Sequence, residues 1–191
     1  MISIPLIRRE LTSDLLGQHI YLFGAGSATT EILRRLADAG AEEGTIVLSE
    51  TDGTCLSAAA LFRPHLAVGA VSLFSAIATI ALAEALGHGD RDAMPIWPDL
   101  VNVGDAIVAR SMAETAPATG RTSYVILGAE IDVRALDATL RGAGDWNSVV
   151  ATFLNALDKW ATAYATHGPA AVKSAILPRG PAAPRLTGAA A

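Results

Sequence analysis

The chain has 191 residues, 51% of them apolar but only 5% aromatic, so a single domain with a core of Ala, Leu, Val and Ile is expected. A net charge of −5 argues against a nucleic-acid partner, which would select a basic face. The single cysteine, Cys55, rules out an intrachain disulfide and a thiol-rich metal site, and His19, His65, His88 and His167 lack metal-ligand spacing.

The opening MISIPLIRRE has no charged stretch ahead of a long apolar one, so no secretion signal is read there and a cytoplasmic protein is expected. QHIYLFG (18–24) reads as a first strand. In GAGSATTEILRRLADAGAEEG, Ser27, Thr29 or Thr30 can cap a helix whose apolar stripe is Ile32, Leu33, Leu36 and Ala39. The GAGSAT turn lacks the third glycine of a dinucleotide fingerprint and any Gly-Lys-Ser/Thr. Strands follow at 45–49 and 55–62, with ETDGT as the turn between them and Cys55 read as a small core residue.

Residues 66–87, LAVGAVSLFSAIATIALAEALG, are long enough to span a bilayer and carry one charge, Glu84. They are rich in Ala, Gly, Ser and Thr and lack aromatic anchors, so a buried helix over about 68–86 is preferred and no membrane partner is expected. After a polar loop (87–92), short strands are read at 95–97, 101–103 and 106–113, with Val103-Gly104-Asp105 as a hairpin tip. A turn covers 116–121. TSYVILGAEIDV (122–133) is a strand in which Gly128 suggests a bulge or a close backbone approach, and Glu130 and Asp132 share one face. An amphipathic helix spans 146–166 and a shorter one 169–177; the Pro/Gly/Ala-rich 178–191 reads as a flexible tail outside a domain of 1–177. The pattern gives an α+β fold, a mixed, largely antiparallel sheet packed against helices.

The order of these segments, from about 19 to 177, resembles the catalytic domain of the biotin/lipoate protein ligase superfamily. GSATTEILRRLADAGAEEGTIVLSE is similar to that family's Ser-Thr-Asn segment, with Ser27 and Thr29 at positions that contact the acyl ligand. LSAAALFRP resembles the strand ending in Arg-Pro, at Arg63 and Pro64. IWPDLVNVGDAIVARSMAE aligns without a gap to the Lys-Trp-Pro-Asn-Asp hairpin, placing Trp97, Pro98 and Asp99 at ligand positions. VILGAEIDV resembles the Gly-x-Gly-x-Asn strand, with Gly128 and Asp132 at its ligand positions.

The resemblance also exposes departures. The family activates biotin or lipoate with ATP and passes the acyl group to a lysine on a carrier domain, which calls for positive charge around an anionic intermediate. Here ETDGTCL, with Asp52, stands where the family has a Gly-Arg-Gly-Arg loop. The two motif lysines are Ile96 and Ile107, the hairpin glycine is Arg110 and the strand asparagine is Asp132. The only lysines, Lys159 and Lys173, lie in the last third of the chain. This resembles atypical branches that carry Trp-Pro-Asp and a shortened loop.

Three readings stay open: a degenerate domain that binds a small acyl ligand or a lipoyl/biotinyl-type carrier domain; an active ligase or acyltransferase; and a structural subunit. A homo-oligomer or an assembly partner is expected. The active reading would use ATP/Mg and biotin or lipoate, with Arg110 or Arg63 as replacement cations and Asp99 as the accompanying catalytic candidate; otherwise no cofactor is expected. Each site residue has a plainer alternative: Trp97 in the core, Asp99 as a turn cap, Arg63 in a surface ion pair and Ser27 as a helix cap.

Overall fold

A computed structural model describes residues 1–51, 53–64, 72–87, 92–118, 121–140 and 145–176. The expected tail at 178–191, Asp52 and the first residues of the apolar segment fall outside them. The elements in chain order are α1 (Ile4–Glu10), β1 (Ile20–Phe23), α2 (Thr29–Asp38), β2 (Ile46–Thr51), β3 (Cys55–Phe62) and α3 (Ser72–Leu86). Strands β4 (Ala93–Ile96), β5 (Leu100–Val103), β6 (Ala106–Ala118) and β7 (Arg121–Asp132) follow, then α4 (Val133–Leu140), α5 (Trp146–His167) and α6 (Pro169–Ile176). Helices α1 and α4 were not anticipated; each is a short element of seven or eight residues, too brief for a clear periodic signal.

The strands form one sheet in the order β1-β2-β3-β7-β6-β5-β4, antiparallel at every step except the parallel β1–β2 pair. This is the expected mixed, largely antiparallel sheet. One face is closed by α3 and α5, with Ile46, Leu48, Leu56, Val125, Leu127 and Ile131 buried against Ile77, Leu82 and Phe153. The apolar segment resembles a membrane span for a simple reason. Helix α3 has the sheet on one side and α5 on the other, so Ile77, Ala78, Ala81, Leu82, Ala85 and Leu86 are all fully buried around its circumference. Its one charge, Glu84, lies outside that contact, 3.2 Å from Lys159 Nζ, with Trp160 Nε1 donating to it at 3.0 Å. Among the described residues no helix is long and apolar enough to cross a membrane.

The opposite face is only half covered. Helix α2 lays Leu33 and Ala37 onto Val47, Ala59, Leu61 and Ile126, a stripe at helical spacing, while Glu31 pairs outward with Arg34 and Arg35 at 2.6 and 2.9 Å. Those two guanidiniums hold the Glu31 carboxyl below its ordinary range. The three alanines of β3 let helices approach from both sides, Ala58 and Ala60 toward α3 and Ala59 toward α2. Beyond α2, no helix among the described residues covers this side of the sheet toward β4.

Candidate functional site

The uncovered face is centred on the β4–β5–β6 hairpins. Ile96 pairs with Leu100, which folds Trp97-Pro98-Asp99 into the tight turn between β4 and β5, with a cis Trp97–Pro98 peptide. Trp97 is thus a turn residue, 37% exposed, rather than the end of a strand, because a three-residue connection between paired positions leaves no room for further pairing. Buried hydroxyls staple this turn to the helix behind the sheet. Thr79 Oγ1 lies 2.8 Å from the Pro98 carbonyl oxygen and 2.7 Å from Ser111 Oγ, and Ser111 N donates to the Asp99 carbonyl at 2.7 Å.

A register irregularity then determines what the hairpin presents. Asn102 pairs with Ile107 and Leu100 with Arg110, so an extra residue is accommodated in β6 between them. Leu100 and Asn102 share a face, and therefore Ile107 and Arg110 do as well, although three residues apart. Arg110 continues the same cross-strand rung to Glu130 on β7. Between hairpin and β7 opens a groove of about 480 Å³, walled by Leu100, Ile107 and Arg110 on one side and by Cys55, Glu130, Asp132 and Arg134 on the other.

The charges in this groove differ in how far they are committed. Arg110 Nε lies 3.7 Å from Asp99 Oδ2. Asp132 Oδ1 accepts from Ala135 N at 2.9 Å and so caps the start of α4. Glu130 and Arg134 have no hydrogen bond or ion pair among the described residues, and both are exposed. Burial pushes the Cys55 thiol up, opposed by a hydrogen bond with Ser57 and reinforced by the Glu130 and Asp132 charges, so it stays protonated at neutral pH.

Other residues named by the sequence lie elsewhere. Gly128 shows no bulge: its register with Ala59 on β3 and Met112 on β6 runs through without a break. The close approach is real and comes chiefly from the neighbouring strand β3, with α2 behind it. A Cβ at position 128 would lie 3.0 Å from the Ala58 carbonyl oxygen and 3.4 Å from Thr30 Cγ2. Ser27 is half-buried in the loop before α2, whose N-cap is Ala28 and lacks a side-chain cap. Thr29 is 2% exposed, and its Oγ1 has no partner among the described residues. The structure therefore brings Thr30 beside Gly128, and Arg110 with its partner Asp99, and Asp132, around the groove.

Arg63 belongs to neither. It sits at the other end of α2, where its guanidinium donates to the Ala37 carbonyl at 3.0 Å and the Ala41 carbonyl at 2.8 Å, and lies 6.0 Å from the Tyr124 ring centroid. Its backbone N–H donates to Glu43 at 2.8 Å. The groove residues absent from the sequence-based set are Arg134, Leu100 and, as a ligand group, Glu130. Only Glu130 left a signal, through its period-two partnership with Asp132.

No family model matches the chain, and no curated protein matches it either. Solved structures do match in fold. A biotin protein ligase-like protein of unknown function from a Silicibacter species superposes with a TM-score of 0.65 at 12% identity, covering 85% of this chain and 78% of that one. The biotin protein ligase of Aquifex aeolicus gives 0.64 at 14% identity, covering 82% and 73%. That of Leishmania major in complex with biotinyl-5-AMP gives 0.56 at 12%, covering 87% and 86%. The architecture is that of the biotin protein ligase catalytic domain.

Proposed function

We propose that this domain uses the ligase fold to hold a small acyl ligand, free or on a carrier domain, in the groove between the hairpin and β7, and that it does not adenylate that ligand. The observation that carries this reading is the make-up of the groove. An acyl-adenylate would set a phosphate among Ile107, Glu130 and Asp132, with Arg110 already drawn toward Asp99. Each lost charge-assisted contact is worth about 1.5–3 kcal/mol. Three such losses would slow an adenylation step roughly two-thousand-fold or more. The pocket therefore does not suit the nucleotide chemistry that the resemblance implies. The protonated Cys55 is equally unsuited to serve as an acyl-accepting thiolate.

The active-ligase alternative draws on Arg110, which lines the groove; Arg63 is occupied at the far end of α2. The two readings separate in an ATP–pyrophosphate exchange assay with biotin or lipoate. The expected result is exchange at background. Exchange well above it, lost in Arg110→Ala, would overturn the non-adenylating reading. Native mass spectrometry of the purified protein would then show whether it retains a small molecule, a carrier domain or a second copy of itself.

A further inference from the structure

Once existing partners are subtracted, the groove retains one free charge of each sign. Arg110 has Asp99, and Asp132 has the first turn of α4. That leaves the Glu130 carboxylate on the sheet floor and the Arg134 guanidinium on the first turn of α4, both lining the same cavity and both unpaired among the described residues. Glu130 is unpaired even though Arg110 stands directly across from it on β6, because that arginine reaches toward the turn instead. Opposite these two charges the wall is aliphatic. Leu100 and Ile107 face the cavity, and Ile107 is 55% exposed. Ile96 continues the same face on β4, one strand spacing beyond Leu100.

We infer that the groove takes a small zwitterion with an aliphatic body, an apolar amino acid, with its ammonium on Glu130, its carboxylate on Arg134 and its side chain on Leu100 and Ile107. This rests on the reading of the groove as an acyl-ligand site and adds the class of acyl group. The charges support it over a simple fatty acid or a simple amine. A carboxylate alone would pair with Arg134 and leave Glu130 unpaired and partly desolvated beneath it. An amine alone would do the reverse. A ligand carrying both satisfies both, and unpaired polar groups in a site are what reject an analogue lacking the matching group. From Leu100 to Glu130 is two strand spacings, about 10 Å, and the cavity volume lies within the range usual for small-molecule sites.

The test removes one charge at a time from one skeleton. Leucine, 4-methylpentanoate and 3-methylbutylamine would be titrated into the full chain, following the methyl resonances of Leu100 and Ile107. Leucine is expected to bind at least tenfold tighter than either singly charged analogue. Glu130→Gln should erase its advantage over the carboxylate, and Arg134→Gln its advantage over the amine; both side chains are exposed, so the fold should persist. An analogue that binds as tightly as leucine, or a leucine affinity unmoved by both substitutions, would overturn the inference. So would the absence of binding by all three. A different small acyl molecule retained in native mass spectrometry would then leave the acyl-binding reading standing, whereas biotin- or lipoate-dependent exchange would strike that reading independently.

Discussion

Two arginines of the same sheet, Arg63 after β3 and Arg110 on β6, look alike as lone cations among apolar residues, yet they occupy opposite kinds of site. Arg63 is spent on structure. It gathers carbonyls from the end of α2 and the loop beyond, and lies over Tyr124, whose hydroxyl in turn donates to Asp38 at 2.9 Å. Arg110 has one loose partner at 3.7 Å and looks into an open groove beside an unpaired carboxylate. A side chain whose donors are already used stabilises the fold. One held by a single loose ion pair at the edge of a cavity contributes little to the fold and instead helps shape the groove. Partner count, rather than residue type, separates the two regions.

The sharpest way to break the comparison is to remove each arginine in turn. Arg63→Ala strands the Ala41 carbonyl and takes one of two donors from the Ala37 carbonyl, so it should cost about 1–2 kcal/mol, seen as a lower denaturation midpoint. Arg110→Ala removes one exposed, loose ion pair and should change stability by less than about 0.5 kcal/mol. Equal losses would mean that the groove is held together by its charges and is not waiting for a ligand. Of similar size is Gly128→Ala. Its new methyl would meet the Ala58 carbonyl oxygen at 3.0 Å and Ala59 Cβ at 3.3 Å, so about 1–2 kcal/mol should be lost. A neutral or stabilising result would show that β3 can yield beside Gly128 and that the covered half of the face is as adaptable as the open half.

How much of this was legible beforehand follows the same division. The sheet, helix α3 and helix α5 announce themselves through apolar content and period, because burial is what those patterns encode. The hairpin itself was also legible, since Trp97-Pro98-Asp99 and Val103-Gly104-Asp105 carry turn residues between apolar runs. What could not be read was partnership. Thr79 and Ser111 are 32 residues apart, and nothing local in either marks the hydroxyl pair that holds the Trp-Pro-Asp turn. Nor does strand alternation anticipate Ile107 and Arg110 on one face, since that depends on the irregularity opposite Val101 and Asn102. Gly128 does mark a close backbone approach, and the approaching group is the Ala58 carbonyl of the neighbouring strand β3.

The smallest expected effect probes the groove without disturbing the fold. Cys55 lines the cavity, half-buried, with Glu130 and Asp132 as its acidic neighbours. Its thiol is pushed up chiefly by burial and further by those carboxylates, so at any pH near neutrality a smaller fraction is thiolate than in a free cysteine. Alkylation by iodoacetamide should therefore be slower than that of a model thiol at pH 8, and its rate should keep climbing at pH values where the model thiol has levelled off. Glu130→Gln removes one of the carboxylates that raise the thiol and should speed the reaction modestly at fixed pH. Because that carboxylate ranks below burial among the causes, the gain should be small, severalfold at most, which sets it apart from an opening of the groove. A large acceleration would mean that Glu130 closes the cavity over Cys55 rather than standing free at its floor, and the unpaired charge on which the ligand argument depends would be gone.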